Sequence, residues 1–254
     1  MGMGLCVMML GTAGSGKTSL CATFGKWLES DIKAKVAYIN LDAGCAFTPY
    51  KPHFDIREMF TVEELMRKEK LGPNGAMIRA AELMEKNAGK IVNKIEKVNA
   101  DFKLIDTPGQ MEIFVFRPAG PQIAEALKEK AAAVAVYIID PSLALTSTGL
   151  TVAVSLSIAT QLRLGIPTTT VLNKADEVRG ANIDRLLTDF SYLRSKVVKE
   201  KLGAMTDLAL HYVEAIRTLS KATRLVKVSA KTCYGMEPLY DIVNESLCVC
   251  GDLT

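Results

Sequence analysis

The segment GTAGSGKTSL, residues 11–20, has glycines, a lysine and hydroxyl side chains at a spacing that suits phosphate binding. It matches the pattern of the phosphate loop, in which backbone N–H groups face a β-phosphate and the dipole of the following helix assists them. Lys17 would reach the β- and γ-phosphates, and the Thr18 hydroxyl would bind Mg²⁺. We therefore expect a nucleotide-binding site that includes Ala13, Gly14, Ser15, Gly16, Lys17, Thr18 and Ser19.

A second candidate group, DTPGQME, follows the apolar run FKLI. A carboxylate at the end of a buried strand is costly unless a cation compensates, so Asp106 is expected on the metal side of the site. The Gly109 amide can approach a γ-phosphate because no side chain stands in the way. Gln110 and Glu112 would project to where an attacking water lies. The alternative for these two is that they are solvated residues opening a short helix, and the sequence does not decide which of them positions the water.

A third group, NKAD at residues 173–176, could read a guanine base. The Asp176 carboxylate can accept from both N1–H and the exocyclic amine of guanine, a donor pair that adenine lacks. Each such charge-assisted bond contributes roughly 1.5–3 kcal/mol, so two of them separate the bases by orders of magnitude. Lys174 would cover one face of the base with its stem, beside Asn173. In the later segment Ser229, Ala230 and Lys231, the Ala230 amide would meet the guanine oxygen.

The elements that must position these groups alternate along the chain. Apolar runs of strand length occur at 5–10, 36–41, 102–105, 134–139, 168–172 and 225–228, and helical patterns at 17–29, 62–70, 76–98, 121–130, 150–164, 183–196, 205–220 and 238–247. Strands without strict alternation are typical of sheets covered on both faces. The order predicts an α/β fold of the P-loop NTPase class, a doubly wound and mostly parallel sheet flanked by helices. Ligands bind such sheets at the carboxyl ends of the strands, which is where the three groups lie.

Composition narrows the class of protein further. The chain has 254 residues, 49% of them hydrophobic, which fits one large domain over residues 1–254. A net charge of +3 without a basic block argues against direct nucleic-acid binding. Six cysteines scattered along the chain fit reduced thiols and a cytoplasmic location. The uncharged segment 141–162 is rich in Ser and Thr and is interpreted as a buried helix, which predicts no membrane association.

The segment LGPNGAMIRA, residues 71–80, interrupts two helical patterns with Gly72, Pro73, Asn74 and Gly75. Turn chemistry alone would account for these residue types. Together with GTAGSGKT, LDAG, DTPGQME, NKAD, SAK and CGDLT, however, the chain resembles the GPN-loop GTPases, and their archaeal members in particular.

The resemblance implies a Mg²⁺-dependent GTP hydrolase that binds GTP and GDP and acts as a homodimer. The loop of one subunit would reach the nucleotide of the other, where Asn74 meets the γ-phosphate or the product phosphate. It also implies a GPN-loop insertion at about 60–99 and helical additions at about 182–221. Eukaryotic members are linked to RNA polymerase assembly, so a slow assembly switch for a protein client is the alternative function. A P-loop kinase or ATPase is a weaker one; the extra lysine of ParA-type and MinD-type ATPases is absent, since Thr and Ala occupy positions 12 and 13.

One motif departs from many relatives, which have Leu-Asp-Pro-Ala where this chain has Leu-Asp-Ala-Gly at 41–44. Asp42 is retained, and we expect it to order Mg²⁺ or its water, while Ala43-Gly44 should make the following loop more pliable.

Other residues carry no chemical prediction. Cys248 and Cys250 lack a second ligand pair for a metal, and His53 and His211 lack partners at motif spacing. The Met- and Leu-rich faces at 76–84 and 205–219 are expected in the core or at a dimer surface, with a groove for a partner peptide as the alternative.

Overall fold

Seven parallel strands form the central sheet of the computed structural model, which describes residues 4–177, 185–186, 189–200, 203, 205–219 and 225–248. The strands are β1 (Leu5–Gly11), β2 (Val36–Asn40), β3 (Phe54–Asp55), β4 (Phe102–Asp106), β5 (Ala133–Ile139), β6 (Thr168–Leu172) and β7 (Val226–Lys227). Their order across the sheet is β3-β2-β4-β1-β5-β6-β7. From β1, the strands β5, β6 and β7 extend the sheet in one direction, and β4, β2 and β3 extend it in the other. The doubly wound sheet predicted from the sequence is confirmed.

The helices connect the strands in the expected alternation. They are α1 (Lys17–Trp27, extended by a π-helical turn at Leu28–Ile32), α2 (Val62–Glu69), α3 (Pro73–Lys86), α4 (Ala88–Glu96), α5 (Met111–Val115), α6 (Ala119–Lys128), α7 (Ser147–Leu164), α8 (Phe190–Lys199), α9 (Met205–Leu219) and α10 (Met236–Cys248). Short 3₁₀ turns occur at Ile56–Glu58 and Pro141–Ala144.

Both faces of the sheet are covered, as the continuous apolar strands require. In β1, the side chains of Cys6, Met8 and Leu10 belong to the core under α3, α6 and α7, whereas Val7 and Met9 belong to the core under α1 and α10. Because alternate side chains point to opposite faces, every residue of this strand is buried.

Several elements differ from the sequence prediction. The pattern at 76–98 is two helices rather than one: α3 ends and α4 begins at Asn87, whose backbone (φ −111°, ψ 12°) leaves the helical range and whose Nδ2 donates to the Leu83 carbonyl. Strand β3 was missed because two residues are too short for an apolar pattern. The helix predicted at 183–196 lies partly outside the described residues; α8 begins at Phe190, with Asp189 as its N-cap.

The uncharged segment lies mostly in α7. Leu150, Ala153 and Leu164 are buried there, and the Thr151 and Thr160 hydroxyls donate to carbonyls one turn earlier. Within the described part of the chain, no helix has the length and apolar character needed to cross a membrane.

Candidate functional site

The carboxyl ends of all seven parallel strands lie at one edge of the sheet, and the three sequence motifs follow three of these strands. β1 leads through the phosphate loop into α1, in which Gly16 is the N-cap without a side-chain partner. Gly14 and Gly16 have φ of 81° and 89°, a region that favours glycine. A Cβ on Gly16 would also lie 2.4 Å from Nδ2 of Asn173, so a larger residue would strain both loops. The free N–H groups at the start of α1 suit an anion.

Lys17 extends its side chain back over the phosphate loop. Its Nζ donates to the carbonyl oxygens of Gly11 (2.8 Å) and Thr12 (2.9 Å). Burial lowers the pKa of this ammonium, and the carboxylates of Asp106, Asp42 and Glu112 act in the opposite direction. All three carboxylates are thus close enough to the Lys17 ammonium to affect its pKa.

Asp106, at the end of β4, is a buried carboxylate with an incomplete set of partners. Its Oδ2 accepts from the Tyr50 hydroxyl at 2.8 Å, whereas Oδ1 has no hydrogen-bond partner among the described residues. Burial raises the pKa of Asp106, and the Thr18 and Tyr50 hydroxyls lower it again in part. A carboxylate oxygen and a hydroxyl oxygen are ligands of the kind that Mg²⁺ takes in addition to substrate phosphates. Asp106 and Thr18 therefore fit the metal site predicted for them.

Asp42 joins the loop after β2 to the loop after β4. Its Oδ1 accepts from the Gly44 N–H at 2.9 Å, and its Oδ2 accepts from the Gly109 N–H at 3.2 Å. The Gly109 amide is the group that the sequence assigned to a γ-phosphate, so a carboxylate already binds it in this structure. The neighbouring Ala43 is buried, and its carbonyl accepts from the Val62 N–H at 3.0 Å.

Tyr50 is a site residue that sequence reasoning missed. Besides its bond to Asp106, its ring stacks on Tyr38 with centroids 4.9 Å apart. No motif contains this tyrosine, and its contact with Asp106 spans 56 positions of sequence. Only the fold brings the two together.

The loop that carries Tyr50 is held by Arg57. The guanidinium pairs with Asp55 at 2.6 Å and donates to the Cys45 carbonyl at 3.2 Å. Asn40, at the end of β2, donates to the same Asp55 at 2.9 Å. This network fixes both ends of the segment between β2 and β3.

The base-reading loops contact each other and the phosphate loop. Asn173 is buried; its Nδ2 donates to the Ser15 carbonyl at 2.9 Å, and its Oδ1 accepts from the Ala230 N–H at 3.3 Å. Asn173 thus holds the two loops together, and the Ala230 amide assigned to the guanine oxygen has a partner within the protein. Asp176 accepts from the Ser229 hydroxyl at 2.6 Å.

The same hydroxyl hydrogen bond is the main cause that lowers the pKa of Asp176, and Lys231 contributes further. A lowered pKa keeps this carboxylate ionised, which suits an acceptor of two N–H donors. The structure thus brings Asp176 and the Ser229 segment together, while the guanine contacts assigned to them stay a prediction.

The two candidates for the water-positioning group lie at the start of α5. Gln110 is its N-cap and Glu112 lies exposed in its first turn. Neither side chain makes a hydrogen bond among the described residues, so the choice between them stays open. Gln110 also lines a cavity of about 240 Å³ that separates this segment from α3.

The Gly72-Pro73-Asn74 segment is the first turn of α3. Gly72 is the N-cap, Pro73 opens the helix, and all three residues are exposed. The preceding helix α2 ends in a left-handed residue, Lys70 (φ 54°). The turn interpretation therefore describes the local geometry correctly, and it presents Asn74 to the outside of the chain.

Of the residues without a predicted role, His53 makes hydrogen bonds within the fold. His53 pairs with Tyr38 through its backbone N–H and its ring Nδ1, and His211 is exposed on α9. Cys248 ends α10, and its side chain and Cys250 lie outside the described residues.

The apolar residues of α9 fall into two groups. Ala209 and Val213 are buried, whereas Met205, Leu208 and Tyr212 line a cavity of about 580 Å³ against α7.

The fold and this site together define a P-loop nucleotide-binding protein. A family model described as "conserved hypothetical ATP binding protein" matches residues 9–249. The chain is similar to GPN-loop GTPase PAB0955 of Pyrococcus abyssi, with 38% identity over 98% of this chain and 100% of that protein. The crystal structure of PAB0955, a GTPase in apo form, matches with a TM-score of 0.83 and 34% identity, covering 98% of this chain and 100% of that one.

A more distant relative has the same family name. GPN-loop GTPase 1 of Dictyostelium discoideum is 28% identical over 92% of this chain, which spans 59% of that protein's length. The chain belongs to the GPN-loop GTPase family, and the resemblance drawn from its motifs is confirmed.

Proposed function

We propose that this chain hydrolyses GTP to GDP and phosphate with Mg²⁺ as cofactor. The observation that carries the proposal is the Asn173 bridge, with Nδ2 on the Ser15 carbonyl at 2.9 Å. It fixes the guanine-reading loop against the phosphate loop, so one nucleotide can meet Asp176 at its base and Lys17 at its phosphates. The buried, unpartnered Oδ1 of Asp106 supports the metal side of the same site.

The residue roles follow from position and charge. Lys17 exchanges the Gly11 and Thr12 carbonyls for phosphate oxygens, and Gln110 or Glu112 orients the attacking water. Thr18 and Asp106 would hold Mg²⁺, and the cation would supply positive charge against the phosphate oxygens. Asp42 supports the metal's water shell. Positioning and charge stabilisation account for most of the catalysis in such reactions.

The contact between Asp42 and Gly109 supports a nucleotide-dependent switch. A γ-phosphate that binds the Gly109 amide must displace the Asp42 carboxylate, because one N–H cannot serve both acceptors well. The loops after β2 and β4 then separate, and Asp42 becomes available on the metal side. GTP and GDP differ in just this phosphate, so the two nucleotides should favour different arrangements of these loops.

The proposed assembly is a homodimer in the cytoplasm, in which Asn74 of each subunit completes the partner's site. The exposed position of Asn74 in a rigid, proline-started turn supports this arrangement. An amide can contact phosphate and a metal-bound water together, without the fixed charge of an arginine.

A client-binding role is a second candidate function, and the apolar cavity between α7 and α9 favours it. By analogy with the eukaryotic relatives, the client would be an RNA polymerase subunit, and hydrolysis would be slow without it. Turnover measured with and without polymerase subunits distinguishes a self-sufficient enzyme from a client-stimulated switch.

Base choice tests the central proposal. Asp176→Asn replaces one of the two acceptor oxygens by an NH2 donor, which cannot pair with the exocyclic amine of guanine, so GTP affinity should fall about 100-fold or more. Xanthosine triphosphate has a carbonyl oxygen in place of that amine and should bind better to the variant. Calorimetry with GTP, ATP and xanthosine triphosphate measures both effects. The matched control is Asp207→Asn, at an exposed position in the first turn of α9. Unchanged GTP affinity in the Asp176 variant would contradict the guanine assignment, and a wild-type preference for ATP would favour the ATPase alternative.

A further inference from the structure

Asp140, the residue directly after β5, lies at the base-reading end of the site, and no sequence motif includes it. β5 and β6 pair in parallel register with Ile139 opposite Leu172, so Asp140 and the residues after Leu172 leave the sheet side by side. Across this gap the Asp140 Oδ2 accepts from Lys174 Nζ at 2.7 Å. The side chains of Asp140 and Lys174 are 18% and 33% exposed, so the pair is partly shielded from water.

The carboxylate is fixed independently of the lysine. Its Oδ1 accepts from the Ser142 N–H at 2.9 Å and caps the 3₁₀ turn Pro141–Ala144. Burial tends to raise the pKa of Asp140, but the hydrogen bonds from Lys174 and Ser142 outweigh it and lower the pKa. Asp140 is therefore a charged, immobile acceptor.

The lysine backbone is also unusual. Lys174 has φ of 53°, a left-handed conformation that is uncommon for a residue with a side chain. The neighbouring Ala175 N–H donates to the Val228 carbonyl at 3.0 Å, which holds the loop in place. With its backbone held there and its ammonium on Asp140, the Lys174 stem is fixed at both ends.

We infer that Asp140 is a positioning residue for guanine binding, which acts by holding the Lys174 stem in the place where it covers one face of the base. The inference rests on the proposed function, since it requires a guanine nucleotide in this site. A lysine side chain has many rotamers, and ordering them before the ligand arrives removes that entropy cost from binding. The stem touches the base and not the phosphates, so GTP and GDP should benefit equally.

The test is GDP binding to Asp140→Asn, measured by calorimetry without added metal. Asparagine keeps an acceptor for the Ser142 cap but loses the charge that holds the ammonium. We expect GDP and inosine diphosphate affinities to fall by the same factor, about 3- to 10-fold, with their ratio unchanged. Lys174→Met keeps an unbranched stem but cannot pair, and it should show a similar loss. Glu96→Gln breaks a comparable surface ion pair with Lys130 at 2.8 Å and should leave affinity unchanged.

A double-mutant cycle makes the test strict. If Asp140 acts through the lysine, Asp140→Asn should change nothing further in a Lys174→Ala background. Additive losses, or unchanged GDP affinity in Asp140→Asn, would overturn the inference. If Asp140→Asn does not fold, the Lys174→Met result decides in its place, and wild-type affinity in that variant overturns the inference.

A failure of the proposed function would give a different result from a failure of this inference. The wild-type protein would then show no preference for guanine nucleotides, and Asp176→Asn would not change its nucleotide affinities. A wild-type preference lost in Asp176→Asn but untouched in the Asp140 and Lys174 variants would remove only the positioning role.

Discussion

The Asp106 carboxylate is subject to two opposing requirements. In its proposed role it must be ionised to hold a cation, yet it is 1% exposed and one of its oxygens lacks a donor among the described residues. Burial without a full set of donors disfavours the charged form, which agrees with its raised pKa. The ionised Asp106 side chain therefore lowers the stability of the protein without its ligand, and it contributes to function only when the ligand is bound.

Asp106→Asn should abolish hydrolysis and leave a folded protein with an equal or higher thermal midpoint. The pKa of Asp106 is higher in the native state than in the unfolded state, so the protonated side chain stabilises the fold. This contribution is complete below the unfolded pKa of about 4 and is lost as the pH rises through the native pKa. Asparagine does not titrate, so the free energy of unfolding of the variant, relative to that of the wild type, should increase from pH 4 to pH 7.

Urea denaturation at both pH values, with a phosphate-release assay, checks the two parts separately. Wild-type turnover by the variant would remove Asp106 from the mechanism. A relative stability that decreases with pH would contradict the assigned pKa direction.

At the scale of elements, the segment between β2 and β3 depends on contacts that are distant in sequence. Arg57 ties the Cys45 carbonyl to Asp55, and Asp55 in turn accepts from Asn40. Since this segment carries Asp42 and Tyr50, its anchoring also fixes the side of the site where we propose the metal.

Arg57→Ala should lower the free energy of unfolding by about 1–3 kcal/mol, because it leaves the largely buried Asp55 carboxylate without its charged partner. Arg79→Ala is the control: it removes a surface arginine that pairs with Glu69 at 3.0 Å, and it should cost about 0–1 kcal/mol. Equal losses in the two variants, measured by urea denaturation, would show that the Arg57 network does not anchor the segment.

How much could be predicted from the sequence depends on how far apart along the chain the interacting residues lie. The phosphate loop and NKAD are contiguous in the sequence, and the parallel strands before them repeat a strong apolar pattern. Both the fold and a set of candidate nucleotide-binding residues could therefore be predicted. Tyr50 and Asp140 were not, because their partners Asp106 and Lys174 lie 56 and 34 positions away. The helix break at Asn87 was missed because the apolar pattern continues through it on both sides.

At the scale of the whole molecule, the open question is whether Asn74 acts on its own subunit or on a partner. If it acts in trans, Asn74→Ala should reduce hydrolysis and barely alter GDP affinity, since the amide would meet groups present only with the γ-phosphate or its product.

Mixing subunits gives the decisive measurement. A heterodimer of Asn74→Ala with Lys17→Ala contains one intact composite site, and it should recover about half the activity per dimer if the two sites are independent. Action in cis predicts no recovery, because each chain then has a defect in its only site. Native mass spectrometry must first demonstrate subunit exchange; exchange without recovery would return the Gly72–Asn74 turn to a structural role.

The hydrogen bond from Gly109 to Asp42 bears on inhibition by the product phosphate. In the proposed cycle, once this phosphate leaves the Gly109 amide, the Asp42 carboxylate takes its place with the 3.2 Å contact of this structure. A tethered group competes at an effective concentration in the millimolar range, and its charge repels a second anion. Free phosphate must therefore compete with an anion that cannot diffuse away, so we expect phosphate to rebind weakly and to inhibit turnover little even where cellular phosphate is abundant.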